Sequence, residues 1–94
     1  MPASARPAPV AAAAPKSRLG YKEQRELASL PGEIEALEGE QRALLARMSS
    51  ADYHQASAQV MRADSERAAV IEQEMARKFA RWEQLEQLRQ ARQR

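Results

Sequence analysis

Two stretches of this chain carry apolar residues at alternating spacings of three and four. Six of the seven seam positions in the first stretch are apolar: Leu27, Leu30, Ile34, Leu37, Gln41, Leu44 and Met48. Six of the eight in the second stretch are apolar: Met61, Asp64, Ala68, Ile71, Met75, Lys78, Trp82 and Leu85. This spacing is the a/d seam of a coiled coil and is narrower than the apolar stripe of an ordinary globular helix. The sequence therefore predicts two coiled-coil helices.

The supply of apolar side chains limits what else the chain can build. Hydrophobic residues make up 44% of the 94 residues, but 20 of them are Ala. So few large apolar groups exclude the thick core of a nucleotide-binding domain or a barrel enzyme. No run of 18 apolar residues is present, which excludes a membrane-spanning helix, and the absence of Cys excludes disulfides and thiolate metal sites.

Turn and breaker residues divide the chain. Residues 1–18 are rich in Ala and Pro, a mixture that neither packs a core nor tolerates a continuous helix, and they are predicted to be a flexible linker. A secretory signal is the alternative, but the apolar run is too short for one. Ser and Asp residues at about 49–55 predict a tip between the helices. Pro31 predicts a break that separates a short helix, about 21–30, from a helix of about 31–49. With a last helix of about 56–91, residues 19–92 form an all-α antiparallel coiled-coil hairpin, preceded by a short helix packed at its open end.

Polar residues within the seams suggest a register for the hairpin. Pairing residues whose numbers sum to 105 places Ile34 opposite Ile71 and Gln41 opposite Asp64. An amide and a carboxylate in one layer can satisfy each other, and one buried polar layer is a device that fixes register. We therefore expect Gln41 and Asp64 to face each other.

Charge is distributed unevenly along the chain. Residues 1–32 and 77–94 carry net charges of +3 and +4, whereas 33–51 and 52–76 carry −2 and −3. An antiparallel hairpin brings the two basic blocks together at its open end, where Arg and Lys can bind phosphates. The candidate nucleic-acid-binding residues are Lys16, Arg18, Lys22, Arg25, Arg77, Lys78, Arg81, Arg89 and Arg92, with Arg94 in the same trailing basic arm. The alternative interpretation is that these cations are solvated and pair with nearby Glu residues.

Catalytic patterns are not found in the sequence. His54 is the only His and lies in the predicted tip, so no metal site and no cofactor are expected. No phosphate-binding Gly-rich loop and no nucleophile motif are present, and the chain is predicted not to be an enzyme. Phe79 and Trp82 are expected in the core. Because so small a core is marginally stable, we expect added stability from the Tyr21 segment folding onto Phe79, Trp82 and Leu85, from a parent protein or from dimerisation. Glu83 and Glu86 argue against a membrane-surface helix at the C-terminus.

Two segments resemble a known family. LGYKEQRELASLP at residues 19–31, followed by IEALE at 34–38, resembles the motif that opens the C-terminal domain of Uup-like ATPases of the ABC-F subfamily. FARWEQLE at residues 79–86 resembles the end of the same domain, and ADY at 51–53 stands near its turn. The resemblance implies a helical hairpin that binds DNA, joined by its linker to tandem ATP-binding cassettes in a cytoplasmic bacterial protein.

Two functions are compatible with these features. The first is a non-catalytic module that binds DNA, including branched or single-stranded DNA, through the phosphate backbone, with RNA or the ribosome as further targets. The second is a protein-interaction coiled coil that docks on the parent ATPase cassettes or on the ribosome through the exposed seam around Phe79 and Leu88. Neither requires a membrane or a small-molecule substrate.

Overall fold

The protein is described by a computed structural model that covers residues 19–92. Helix α1 spans Tyr21–Met48, a short 3₁₀ helix spans Tyr53–Gln55, and helix α2 spans Ala58–Arg92. The two long helices pack along each other as an antiparallel hairpin. The predicted all-α hairpin is therefore confirmed within this part of the chain, while the predicted linker, 1–18, lies outside the described residues.

Helix α1 continues through Pro31 without interruption. The two predicted helical stretches are both present, but they are joined rather than separated by a turn. Pro31 has no N–H to donate to the carbonyl of Leu27, which ordinarily ends or kinks a helix. Packing on both sides of this position offsets the loss, because Leu30 and Ile34 are only 4% and 7% exposed. The Pro31 position thus stays helical because tertiary burial outweighs local preference.

Buried residues form two clusters along the seam. The cluster at the open end contains Leu19, Leu30 and Leu85, with Leu27 and Trp82 packed against it. The cluster nearer the tip contains Leu37, Leu44 and Ile71, with Met48, Ala68 and Met75 packed against it. Both draw mainly on the predicted seam positions, so the heptad pattern identified the interface correctly. The core is only one layer thick because each helix buries a single stripe.

An ion-pair ladder runs along one flank of the seam. Its α1 members are spaced seven residues apart and therefore lie on one face of the helix. The four pairs are Glu26–Arg81 at 2.7 Å, Glu33–Lys78 at 2.8 Å, Glu40–Arg67 at 2.6 Å and Arg47–Asp64 at 2.7 Å. Hereafter these four pairs are called the ladder.

The buried contacts show that the predicted register is wrong. Ile71 packs in one cluster with Leu37 and Leu44 rather than opposite Ile34, which fits a sum of 112, one heptad from the expected 105. The Arg47–Asp64 pair agrees with this offset, because the expected register would leave these two residues about six positions apart along the helices. Gln41 and Asp64 do not share a layer. The Asp64 carboxylate instead accepts hydrogen bonds from Arg47 and Tyr53. A charged partner and a phenol stabilise a buried carboxylate better than the amide of Gln41 could.

The tip closes through short-range hydrogen bonds. Ser50 Oγ donates to the Arg47 carbonyl at 2.8 Å, and the Tyr53 hydroxyl donates to Asp64 at 2.8 Å. Helix α2 starts with the Val60 N–H donating to Ser57 Oγ at 3.1 Å, an N-cap interaction. These bonds fix the position at which α2 turns back along α1.

Candidate nucleic-acid interface

The start of α1 is held against the end of α2. Leu19 is 4% exposed and packs with Leu30 and Leu85. The Gly20 N–H donates to Glu23 Oε1 at 2.7 Å, which satisfies one of the amides at the helix start. Gln24 Nε2 donates to the Leu19 carbonyl at 3.2 Å. With Leu19 turned inward, the first turn of α1 directs its other side chains toward solvent.

An aromatic ring and two cations form an exposed surface on this first turn, which we call the Tyr21 patch. Tyr21 is 75% exposed, and the Arg25 guanidinium lies 5.7 Å from the centroid of its ring. Lys22 is also exposed, and a shallow depression of about 410 Å³ is lined by these three residues with Glu26 and Ser29. Within the described residues, neither Lys22 nor Arg25 forms an ion pair. The patch therefore presents two cations without a direct ion pair, and its nearby carboxylate, Glu26, pairs with Arg81.

Most of the other predicted cations already have acidic partners. Lys78 and Arg81 belong to the ladder, Arg77 lies 3.8 Å from Glu74, and Arg89 pairs with Glu86. The hydrogen bond that Arg81 donates lowers the pKa of Glu26, and the one from Lys78 lowers the pKa of Glu33. Each of these carboxylates stays ionised at neutral pH beside its cation. The alternative interpretation, in which the cations pair with nearby Glu residues, therefore fits the cations of α2 better than Lys22 and Arg25 of α1.

Three of the nine predicted site residues have side chains outside the described part of the chain: Lys16, Arg18 and Arg92, the last residue of α2. Arg94 of the trailing arm also lies outside the described residues. Of the nine candidates, Lys22 and Arg25 share the Tyr21 patch, and four others lie on α2 with acidic partners.

The prediction for the aromatic residues was only partly right. Trp82 packs against the open-end cluster, as expected. The segment around Tyr21 does fold onto this cluster, but through Leu19, which fills the place beside Leu85, while Tyr21 itself is exposed. Phe79 was expected in the core and is 47% exposed. One signal was present in the sequence: Leu19 and Tyr21 are the only large apolar residues between Val10 and Leu27, and only one of them can face inward.

Two other classes of feature are missing from residues 19–92. No group of three or more His, Cys, Asp or Glu side chains there could hold a metal ion. No helix in that range is both long and apolar enough to cross a membrane.

Comparison with known proteins identifies a matching family model. The family model described as the ABC transporter C-terminal domain matches residues 18–87, which includes the whole Tyr21 patch, the tip and most of α2. Neither a curated protein nor a solved structure matches the chain.

Proposed function

The chain belongs to the ABC transporter C-terminal domain family, and from this premise we propose that it is a non-catalytic nucleic-acid-binding module of an ABC-F type ATPase. The open end of the hairpin is the binding end in this proposal. ATP hydrolysis belongs to the cassettes of the parent protein.

The Tyr21 patch is the observation that carries the proposal. Lys22 and Arg25 are exposed and form no ion pair within the described residues, so both can contact phosphates. The Tyr21 ring, 75% exposed, offers a face on which a base can stack. Stacking of one base on an aromatic side chain contributes about 1–3 kcal/mol to binding.

This combination favours DNA with unpaired bases. A base within a duplex is stacked on both sides and cannot reach the Tyr21 ring, whereas a base at a single-stranded segment or a junction can. The acidic half of the hairpin repels phosphates and opposes a duplex lying along the whole rod. We therefore propose end-on binding of single-stranded or branched DNA, with contacts to backbone and base faces and little sequence readout.

The parent protein is proposed from the sequence motifs. Residues 19–31 and 79–86 support the Uup-like branch of the ABC-F subfamily. The corresponding localisation is the bacterial cytoplasm, where the parent protein works on DNA.

Fluorescence anisotropy of labelled DNA tests this proposal. Single-stranded, duplex and four-way junction DNA and a hairpin RNA are titrated with the protein at two salt concentrations. We expect salt-sensitive binding that favours single-stranded and junction DNA over duplex. Replacing Tyr21 with Ala should weaken binding by about 5-fold to 150-fold through lost stacking. The double variant K22E/R25E should weaken it by at least about tenfold through lost phosphate contacts.

The double variant R42E/R62E is the matched control for charge, because it reverses two cations as K22E/R25E does. Arg42 and Arg62 are exposed on the acidic half of the hairpin and form no ion pair with any described residue. Their reversal leaves the Tyr21 patch untouched, so affinity should stay the same. Equal losses in K22E/R25E and R42E/R62E, or no salt-sensitive binding to any of the four nucleic acids, would refute the proposal.

A further inference from the structure

The flank of the seam opposite the ladder carries an apolar groove. Its α1 residues Pro31 and Glu38 directly follow seam residues, whereas the ladder residues of α1 directly precede them, so the two sets lie on opposite sides. The groove has a volume of about 370 Å³ and is lined by Pro31, Ile34, Glu35, Glu38, Phe79 and Trp82.

The groove combines an uncovered apolar floor with an acidic rim. Phe79 is 47% exposed, an unusual state for a large aromatic side chain at the edge of a coiled-coil seam. Glu35 and Glu38 form no ion pair with any described residue, in contrast to Glu26, Glu33 and Glu40 on the ladder side. One flank of the hairpin is therefore closed by paired charges, and the other presents apolar surface beside unneutralised negative charge.

We propose that this groove binds an amphipathic helix of a partner protein, one that presents aliphatic side chains between Lys or Arg residues. Aliphatic groups pack on Phe79, Trp82 and Pro31, and the cations face Glu35 and Glu38. The segment from Pro31 to Glu38 is about two helical turns, or roughly 10 Å. A third helix laid along this length covers the apolar side of a two-helix hairpin as in a helical bundle.

Charge complementarity selects this partner over two others. A second copy related by a twofold axis brings the acidic rims of both copies together, and like charges oppose that contact. Nucleic acid is repelled by the same carboxylates. The groove is also separate from the Tyr21 patch, with which it shares no residue.

Titration with synthetic peptides tests the groove. The probe is a capped peptide of Leu and Lys, about 18 residues long, with Leu on one helical face. Its twin carries Glu in place of every Lys. Trp82 is the only Trp in the chain and lines the groove, so its emission reports occupancy. We expect the Lys peptide to change Trp82 emission with saturation and the Glu peptide to have no effect.

Variants of the full chain separate the groove from general charge effects. E35K/E38K should weaken binding of the Lys peptide by about tenfold or more, since two favourable contacts become repulsive. Phe79→Ala should weaken it as well, and circular dichroism should show an intact fold because Phe79 is half exposed. Glu66→Lys, an exposed acidic residue outside the groove, should leave it unchanged.

Three results overturn the proposal. The first is equal affinity of the E35K/E38K variant and the native chain for the Lys peptide. The second is equal binding of the Lys and Glu peptides. The third is a dimer of the native chain in analytical ultracentrifugation that dissociates in the Phe79→Ala variant, since the groove would then hold a second copy.

Discussion

Asp64 is the one buried charged residue within residues 19–92, at 8% exposure. Arg47 Nη2 donates to its Oδ1 at 2.7 Å, and the Tyr53 hydroxyl donates to its Oδ2 at 2.8 Å. One carboxylate thus connects α1, the tip and α2. Breaking such a network from one side leaves the other groups without their partner, which costs more than losing an exposed pair.

Replacing Asp64 with Asn should lower the Tm by several degrees. The amide keeps the shape of the carboxyl group, but it removes the negative charge that Arg47 and Tyr53 bind. Thermal unfolding followed by circular dichroism measures the effect. We also expect faster amide hydrogen exchange in the 3₁₀ helix Tyr53–Gln55, since the Tyr53 anchor is weakened.

Glu40→Gln is the control, because the Glu40–Arg67 pair is half exposed on both sides and contributes little. Similar Tm values for the two variants would show that the Asp64 network is no stronger than an exposed ion pair.

The sequence predicted the buried seam beside the candidate site but not the orientation or the partners of individual residues at its end. The heptad pattern placed Leu30, Ile34 and Leu37 in the core, where they are buried. It could not decide between Leu19 and Tyr21, because both stand at the helix start where the repeat has only begun. Nor could it decide which cations have partners, since that depends on the register between helices.

At the scale of elements, α1 contains two consecutive residues that disfavour helix formation. Pro31 and Gly32 lie inside the helix, and both are exposed. Gly in an exposed helix interior is less favourable than Ala by about 0.5–1 kcal/mol. A Cβ added at Gly32 would meet no atom within 4 Å.

Gly32→Ala should therefore stabilise the hairpin by about 0.5–1 kcal/mol. Urea unfolding should show a higher midpoint with an unchanged m-value, because the surface exposed on unfolding stays the same.

Gly20→Ala should give no such gain. Gly20 is the N-cap rather than an interior residue, and its added Cβ would lie 3.1 Å from Glu23 Oε1. A Gly32→Ala variant no more stable than the native chain would mean that α1 is already broken at Pro31.

The register between α1 and α2 explains why element-level prediction succeeded only in part. The 3,4 repeat is satisfied again when one helix slides by seven residues, because each a position then meets a d position again. Both helices and their antiparallel arrangement follow from the repeat. The offset follows instead from the tip and from the ladder, whose partners are as far apart in sequence as Glu26 and Arg81.

For the whole molecule, the ladder couples stability to pH. Hydrogen bonds donated by Arg or Lys side chains lower the pKa of Glu26, Glu33, Glu40 and Asp64. A carboxyl whose pKa is lower in the folded state stabilises the fold above its unfolded pKa, about 3.9–4.3, and loses this effect as pH falls through the folded value. The Tm of the protein should therefore stay constant from about pH 6 to 8 and fall below about pH 4, where these groups lose their stabilising effect.

Circular dichroism melts between pH 2 and pH 8 measure this dependence. A triple variant with Gln at Glu26, Glu33 and Glu40 should show a smaller drop on acidification, because three of the four carboxyl groups are gone. A native Tm that rises on acidification would contradict the coupling.

The closure of the open end by Leu19 and Leu85 has a mechanical consequence. The two helices are in contact there, and α2 runs about 40 Å from Leu85 to its start at Ala58. A rotation of about 10° about this contact moves the start of α2 by roughly 7 Å. Small movements at the open end, beside the Tyr21 patch, therefore produce large displacements at the tip.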